Sequence, residues 1–179
     1  MKIPLAKLKA VLRYFYTNTD KRLLGKTKLT KLFYFADFSH VKNFGIPITY
    51  DTYINLEHGP VPSKILNLLN SVIDDPENAI LSDTIQINNK EIGTGNMQII
   101  SCLSDFSESD KKYFSKNELM ILENVCRKYY QSTAGQLEDI SHREAPWLKT
   151  RKLDEIPYAL AAADSDSLVT ADIINLSIN

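Results

Sequence analysis

Apolar residues recur at steps of three and four along the first part of the chain, and this spacing predicts amphipathic helices. The first stretch predicts a helix over residues 4–17, which a polar run then ends. The second predicts a helix over residues 27–43. Gly45 and Pro47 fit the end of this second helix, because glycine accepts a left-handed cap and proline prevents the helix from continuing.

Three later segments depart from the helical spacing. Residues 52–56 are rich in β-branched and aromatic types and predict a short strand. Residues 58–62 read His-Gly-Pro-Val-Pro and predict a rigid turn, because glycine allows a positive φ and each proline fixes its own. Residues 84–103 alternate apolar and polar types and predict a β-hairpin with its turn at residues 93–96.

Local signals predict where the remaining helices begin and end. A helix follows the turn, starting either with Ser63 as its cap or with Pro62 in its first turn. Two capping boxes, each a Ser or Thr followed three residues later by Glu or Gln, predict further helices that begin at Ser115 and at Thr133. Pro146 is expected to stop the second of these helices.

Taken together, the pattern predicts an α+β fold that is predominantly helical, a compact helical body with a small antiparallel sheet or hairpin. The composition, 44% hydrophobic and 24% charged over 179 residues, is that of an ordinary globular protein. Residues 1–152 are predicted to form one domain. Residues 153–179 form an acidic, alanine-rich segment with short helices at 158–163 and 171–176, packed on the domain or extending from it.

The cysteines and the first residues of the chain indicate the cellular compartment. Cys102 and Cys126 are the two cysteines and do not form a close pair, which favours reduced thiols over a disulfide. No apolar run approaches the roughly 20 residues that span a bilayer, and the first residues do not resemble a signal peptide. We therefore expect a cytoplasmic protein without a membrane partner.

Charge is distributed unevenly, although the net charge is only −1. Residues 1–42 hold ten Lys or Arg and two acidic residues, whereas the rest of the chain holds eleven basic and twenty acidic residues. Such asymmetry either steers a charged partner or is cancelled inside the fold, where the two parts of the chain face each other. Both interpretations remain open at the level of the sequence.

Two separated motifs, residues 26–65 and 137–147, resemble the Panacea domain of SocA-like antitoxins and phage-associated proteins. In the first, a lysine-rich helix ends in Tyr-Phe-Ala-Asp and is followed by a Gly-x-Pro-Ile-Thr turn, a strand and Gly-Pro-Val-Pro; the second reads Ser-His-x-x-x-Pro-Trp. Tyr50 departs from the family pattern, where glycine is common. The positions that we assign to this structural framework are Gly45, Pro47, Gly59, Pro60, Pro62, His142, Pro146 and Trp147.

The resemblance implies a binding protein rather than an enzyme. Members of the family are antitoxins that neutralise unrelated protein toxins, so it implies a cognate toxin as partner, no cofactor and no catalytic residues to carry over. An alternative is an adaptor that delivers a toxin to a Clp-type protease, with the acidic segment as a flexible tether. A DNA-binding regulator is a further alternative, and its test is steep salt dependence of binding to upstream DNA.

Five residues are candidates for contact with a partner. Tyr34 lies in an aromatic run and is either buried in the core or a rigid anchor at an interface. Asp37 is either a structural carboxylate, paired with Lys31, Lys42 or the backbone of the strand, or a contact residue. The five candidates are Lys28, Lys31, Tyr34, Asp37 and His58.

The basic residues near the second helix allow three interpretations. Lys21, Arg22, Lys26, Lys28 and Lys31 form a solvated face, a contact for an acidic toxin surface, or a nucleic-acid site. Nucleic acid is the least favoured, because the helix offers mainly Lys and Thr where base readout uses Arg, Asn or Gln, and the protein as a whole is not basic.

The histidines and the tryptophan are assigned structural roles. His40, His58 and His142 share no metal-ligand spacing with one another or with the cysteines, so no metal site is predicted. His58 and His142 are expected to be packing residues with one backbone hydrogen bond each. Trp147, if buried, locks the last helix to the core, and its replacement by alanine would then cost about 3–5 kcal/mol.

Overall fold

The structure, a computed structural model that describes residues 3–92 and 95–178, is arranged around one long helix. The α-helices are α1 (Leu5–Asn18), α2 (Lys26–Phe44), α3 (Ser63–Asp74), α4 (Lys116–Lys128), α5 (Ala134–Ser141), α6 (Ala145–Leu148) and α7 (Ala171–Ile178). The strands are β1 (Tyr53–Leu56), β2 (Gly59–Pro62), β3 (Ile85–Ile92), β4 (Gly95–Cys102) and β5 (Glu155–Ile156). Short 3-10 helices cover Lys21–Leu23, Glu108–Tyr113 and Tyr158–Ala163. The α+β prediction is confirmed.

Helix α2 is the centre of the core because it is buried along almost its whole length rather than on one face. It packs against α4, α5, β2 and the Tyr158–Ala163 helix. Helix α1 also lies within one residue of its predicted range, residues 4–17. In the part of the chain that the structure describes, no helix is long and apolar enough to cross a membrane.

Strand β1 lies in the middle of a three-stranded antiparallel sheet with the order β2-β1-β5. The prediction of a rigid turn over residues 58–62 is wrong in part, because residues 59–62 form β2, in which Gly59 pairs with Leu56 and Pro62 with Tyr53. The chain reverses before Gly59, whose φ is +88°. Proline is tolerated in β2 because β2 is an edge strand, where a missing N–H need not break the sheet.

The predicted hairpin over residues 84–103 is confirmed as β3 paired with β4. Ile92 pairs with Gly95, and residues 93–94 of the predicted 93–96 turn lie outside the described part of the chain. The hairpin is attached to the body through a backbone hydrogen bond from Ile100 to Leu24 and a bridge between Gly25 and Ile99.

The capping boxes begin α4 and α5 as predicted, with Ser115 and Thr133 accepting hydrogen bonds from the backbone three residues later. The prediction for the end of α5 is wrong: α5 ends at Ser141, and Pro146 lies within α6, where a first-turn proline costs no hydrogen bond. Helix α3 begins at Ser63 with Pro62 as its cap residue, and no side chain of either residue caps it.

The C-terminal segment, residues 153–178, packs on the body. Ile156, Ala161 and Ile174 are buried, and the backbone N–H of Leu168 donates to the carbonyl of Lys42 over 2.8 Å. A flexible tether would need this segment to be free, so the described residues do not support that role.

The uneven charge distribution is largely cancelled within the fold. Several basic residues of the first 42 pair with acidic residues from later in the chain, as expected if the two parts face each other. The pairs are Lys7 with Glu118, Lys9 with Asp83, Arg13 with Asp110, Lys21 with Asp105, and Lys42 with Glu144, Asp164 and Asp166.

Candidate functional site

Four of the five residues expected to contact a partner lie in the interior. Lys28, Lys31, Tyr34 and Asp37 are each 0% exposed, whereas His58 is at the surface with 75% of its side chain exposed. The expectation that the first four present their side chains to a partner therefore has to be corrected. Three of them are charged, and burial of charge requires specific partners.

Asp37 is held by donors from the segment between α2 and β1 and from the first residue of β1. Its Oδ1 accepts hydrogen bonds from the backbone N–H groups of Ile48 and Thr49, both at 2.8 Å. Its Oδ2 accepts from the hydroxyl of Thr49 and from that of Tyr53, the latter at 2.8 Å. Burial raises the pKa of the Asp37 carboxyl to about 6, although these hydrogen bonds act in the opposite direction. Asp37 is thus a structural carboxylate, bonded to neither Lys31 nor Lys42.

Asp51, which no sequence pattern singles out, caps the N-terminus of α3. Its carboxylate accepts from the backbone N–H groups of Lys64 (3.1 Å) and Ile65 (2.8 Å), which are unpaired donors of the first helical turn. The capping residue lies twelve positions before the helix begins, so a rule that searches the adjacent residues cannot find it.

Tyr34 belongs to a buried aromatic cluster. Its ring centroid lies 4.5 Å from that of Phe38 and 5.8 Å from that of Tyr53. Burial raises the pKa of its hydroxyl, and the carboxylate of Glu144 acts in the same direction. Of the two interpretations of the aromatic run, the core role applies to Tyr34.

Lys42 joins α2 to the C-terminal segment. Its ammonium lies 3.1 Å from Glu144, 2.9 Å from Asp164 and 3.2 Å from Asp166. Burial acts to lower the pKa of Lys42, but the three carboxylates outweigh it and raise the pKa. The ion cluster fixes the approach of residues 164–166 to the end of α2.

Lys28 and Lys31 each bond a backbone carbonyl. The Lys28 ammonium donates to the carbonyl of Tyr130 at 2.8 Å, and the Lys31 ammonium donates to that of Pro60 at 2.9 Å. Burial lowers the pKa of both lysines, and that of Lys31 falls to about 7 despite the attraction of the Glu138 carboxylate. These two lysines are therefore not part of the predicted basic surface.

The rest of that basic surface is partly neutralised. Lys21 pairs with Asp105 at 3.0 Å, and Arg22 pairs with Asp20 at 2.7 Å. A continuous basic face over Lys21–Lys31 is not present in the structure, which weakens the nucleic-acid interpretation.

A cavity of about 620 Å³ opens beside Lys31, and we call it the Lys31 cavity. Thr27, Thr30 and Lys31 contribute from one face of α2, because they lie three and four residues apart. Three apolar and five polar residues complete the lining. The apolar members are Leu56, Val61 and Leu66, and the polar ones are Lys26, Glu57, His58, Glu138 and Lys152. The cavity therefore brings together Lys31 and His58, two of the five predicted contact residues.

His142 and Trp147 form a stacked pair, with ring centroids 4.0 Å apart and an interplanar angle of 21°. Trp147 is half-buried, so the cost of about 3–5 kcal/mol expected for replacing a buried tryptophan does not apply. Trp147 also lies in α6, which α7 follows, so it does not lock the last helix to the core. The Nε2 atom of His142 is buried without a hydrogen-bond partner among the described residues.

His58 was expected to bond a backbone group, but its Nδ1 instead lies 3.1 Å from the Glu138 carboxylate. His40 is the histidine whose ring contacts a backbone carbonyl, that of Ile46, at 2.6 Å. Among the described residues, no group of three or more His, Cys, Asp or Glu side chains is arranged to hold a metal ion.

The framework glycines behave as predicted. Gly45 ends α2 with a φ of +80°, and its N–H donates to the carbonyl of Val41. A Cβ at Gly59 would lie 2.7 Å from the Ser141 hydroxyl and 2.8 Å from the Lys31 ammonium, so only glycine fits there. Tyr50, the departure from the family pattern, has a φ of +56°, a left-handed conformation that explains why glycine is common at this position.

Comparison with known proteins identifies a family. The family model described as antitoxin SocA-like, Panacea domain matches residues 29–148, a range from the first turn of α2 to the end of α6. No curated protein and no solved structure matches the chain. The matched range contains most of the lining of the Lys31 cavity.

Proposed function

The chain belongs to the family of SocA-like antitoxins with a Panacea domain, and on that premise we propose that it neutralises a cognate protein toxin by binding it directly. The observation that carries the proposal is the family match over residues 29–148. Masking a toxin requires burial of an interface of about 1,200–2,000 Å² and no catalytic group.

The region around the Lys31 cavity is the surface that we propose for toxin contact. His58 is exposed at its edge, and both Glu57 and Lys152 are exposed beside it. A concave surface with apolar side chains and a few polar groups is typical of binding sites in proteins.

The two alternatives have less support. An adaptor for a Clp-type protease would use a free tether, whereas residues 153–178 pack on the body. A DNA-binding regulator would use the basic surface near α2, of which Lys28 and Lys31 are buried. Direct neutralisation therefore remains the primary proposal.

Growth of a naive bacterial host tests the proposal. The protein encoded by the adjacent gene is expressed alone and together with this chain, and the two proteins are then co-purified. We expect the neighbour alone to stop growth, co-expression to restore it, and the two proteins to elute as one complex. A harmless neighbour, or toxicity that co-expression does not relieve, would contradict the proposal.

A variant of the exposed histidine refines the same assay. We expect His58→Ala to weaken rescue, because His58 is the one predicted contact residue with an exposed side chain. Lys116→Ala is the matched control, since Lys116 is exposed on α4 and does not line the cavity. Equal rescue by both variants would move the contact surface away from His58.

A further inference from the structure

The C-terminal segment exposes apolar side chains that the rest of the described chain leaves uncovered. Leu168 is 77% exposed and Leu176 is 83% exposed. A cavity of about 580 Å³ lies between the Tyr158–Ala163 helix and the start of α7, and we call it the α7 groove. Leu168 and four alanines are among the residues that line it. Exposed apolar surface that is rimmed by polar residues is typical of a contact with another molecule.

The exposed leucines are held in fixed positions. The backbone N–H of Leu168 donates to the carbonyl of Lys42 over 2.8 Å. Ile174, which is 0% exposed, anchors α7 to the core. Asp172 and Leu176 are exposed and lie four residues apart on α7, so they share its outer side. A surface that is already ordered in the free protein loses little conformational entropy when a partner binds.

Negative charge surrounds the α7 groove. Residues 153–179 hold five acidic residues and no Lys or Arg. Asp172 is exposed and has no ion-pair partner in the part of the chain that the structure describes. Asp166 is 71% exposed and shares the Lys42 ammonium with two other carboxylates. Both aspartates lie within one residue of the groove lining, so the surface around the groove keeps an excess of negative charge.

The apolar groove and the negative charge together select its occupant. A symmetric pair of copies of this chain would bring two acidic surfaces together, and like charges at an interface are costly. A membrane surface with anionic lipid headgroups would be repelled for the same reason. A basic amphipathic protein segment fits both features, because its Lys or Arg side chains complement the carboxylates and its apolar side chains fill the groove.

We propose that the α7 groove binds a basic amphipathic segment of the partner protein, with apolar side chains against Leu168 and Leu176 and Lys or Arg side chains opposite Asp166 and Asp172. The inference rests on the proposed function for the identity of the partner, the toxin, and adds a second contact surface to the region around the Lys31 cavity. The family match ends at residue 148, so membership of the family does not by itself imply this contact.

A helical peptide with leucines on one side and lysines on the other is the probe for a first experiment, and the same peptide with glutamates in place of lysines is its control. The full chain, isotopically labelled, is titrated with each below the concentration at which the peptide self-associates and followed by NMR. We expect the lysine peptide to shift the amide signals of Leu168, Ala171 and Leu176. Its affinity should fall several-fold when the ionic strength rises from about 50 to about 300 mM, because salt screens exposed charges. The glutamate peptide should leave these signals almost unchanged.

Matched variants assign the effect to the groove. Leu168→Ser removes an exposed apolar contact, and we expect it to bind the lysine peptide about fivefold or more weakly with an unchanged melting temperature. Asp172→Asn removes one exposed charge and should weaken binding about twofold to threefold and flatten the salt dependence. The controls are Leu103→Ser, at an exposed leucine after β4, and Asp139→Asn, at an exposed aspartate of α5, both with unchanged affinity. Equal affinities for the groove variants and their controls would refute the site.

The growth assay then tests the partner. The Leu168→Ser, Leu176→Ser double variant is co-expressed with the toxin, and Leu103→Ser is its control. We expect the double variant, shown to be folded by thermal melting, to lose rescue and co-elution, and the control to keep both. If the double variant rescues fully, the toxin does not use the groove, and the inference fails while the antitoxin proposal stands. If the neighbour is harmless and the lysine peptide binds as expected, the antitoxin proposal fails and the basic-segment site is supported.

Two further results would overturn the choice of occupant. Equal binding of the lysine and glutamate peptides would show that charge does not select the segment. A dimer of the free chain in sedimentation, lost in Leu168→Ser, would assign the groove to a second copy of this chain.

Discussion

Helix α2 buries charged side chains, whereas the C-terminal segment, residues 153–178, exposes large apolar side chains. Helix α2 buries Lys28, Lys31 and Asp37, all 0% exposed, near the centre of the protein. In the C-terminal segment, Leu168 is 77% exposed and Leu176 is 83% exposed. The chemical type of a side chain therefore does not decide its location; the availability of partners does.

This contrast shows how the core is organised. The charged residues of α2 bond to distant segments, so each of them fixes a loop or a strand against the helix. The C-terminal segment is held by a few buried apolar residues and by the ion cluster at Lys42. Four predictions test this contrast, in order of decreasing effect on stability.

Asp37→Ala should have the largest effect. It leaves the backbone N–H groups of Ile48 and Thr49 and the hydroxyl of Tyr53 without an acceptor in the interior. We expect a loss of about 3–5 kcal/mol in the free energy of unfolding, measured by urea denaturation. The control is Asp139→Ala on the exposed side of α5, with a change within about 0.5 kcal/mol. Similar losses for the two variants would mean that burial of Asp37 is not what stabilises the loop.

Lys42→Met should come next, because it leaves the carboxylates of Glu144 and Asp164 without their cation. We expect a loss of about 2–4 kcal/mol in the free energy of unfolding. The substitution should also increase the rate of hydrogen exchange in residues 153–178 more than it does in α2. Unchanged exchange in that segment would show that its apolar contacts are sufficient to hold it, and Lys149→Met, at an exposed position, serves as the reference.

Lys31 makes stability depend on pH in a defined direction. Its folded-state pKa, about 7, lies below the ordinary value of 10.5, so between these values the unfolded chain binds more protons. Stability contributed by this group therefore rises as the pH rises from 7. We expect the wild type to gain about 2 kcal/mol between pH 7 and 9 relative to Lys31→Met, measured by denaturation at each pH. Parallel pH profiles would show that the lysine is not desolvated.

Leu176→Ser should have the smallest effect, within about 0.5 kcal/mol in the free energy of unfolding, because the side chain already faces water. Ile174→Ser, two positions earlier on α7, replaces a fully buried side chain and should cost about 2–4 kcal/mol. Thermal melting of the two variants compares them directly. If both melted alike, the burial assigned to α7 would be wrong.

The helices were predictable because their signals are local. The spacing of apolar residues located α2 to within a residue at each end, and the two capping boxes located the starts of α4 and α5. β2 was mistaken for a turn because proline is common in both turns and edge strands, and the sequence does not reveal which strand is at an edge. The candidate site was only partly predictable, because the partners of its buried lysines are likewise determined by the fold.

Lysine is expected at a surface unless a partner accepts its charge, and the acceptors of Lys28 and Lys31 are backbone carbonyls of Tyr130 and Pro60. A carbonyl is present at every residue, so the sequence does not mark these two as special. Glu138, which lines the same cavity from α5, is likewise brought near by the fold and lies 107 positions after Lys31.

The position of β5 has a consequence for the timing of synthesis. Strand β1 is paired on one side by β2, which follows it directly, and on the other by β5, which begins at Glu155. At roughly 5–20 residues per second, the ribosome needs about 5–20 s to reach β5 after β1 is made. During that interval the nascent chain carries an open strand edge, which is a site for unwanted pairing with other chains. A chain that terminates before Glu155 would keep that edge permanently.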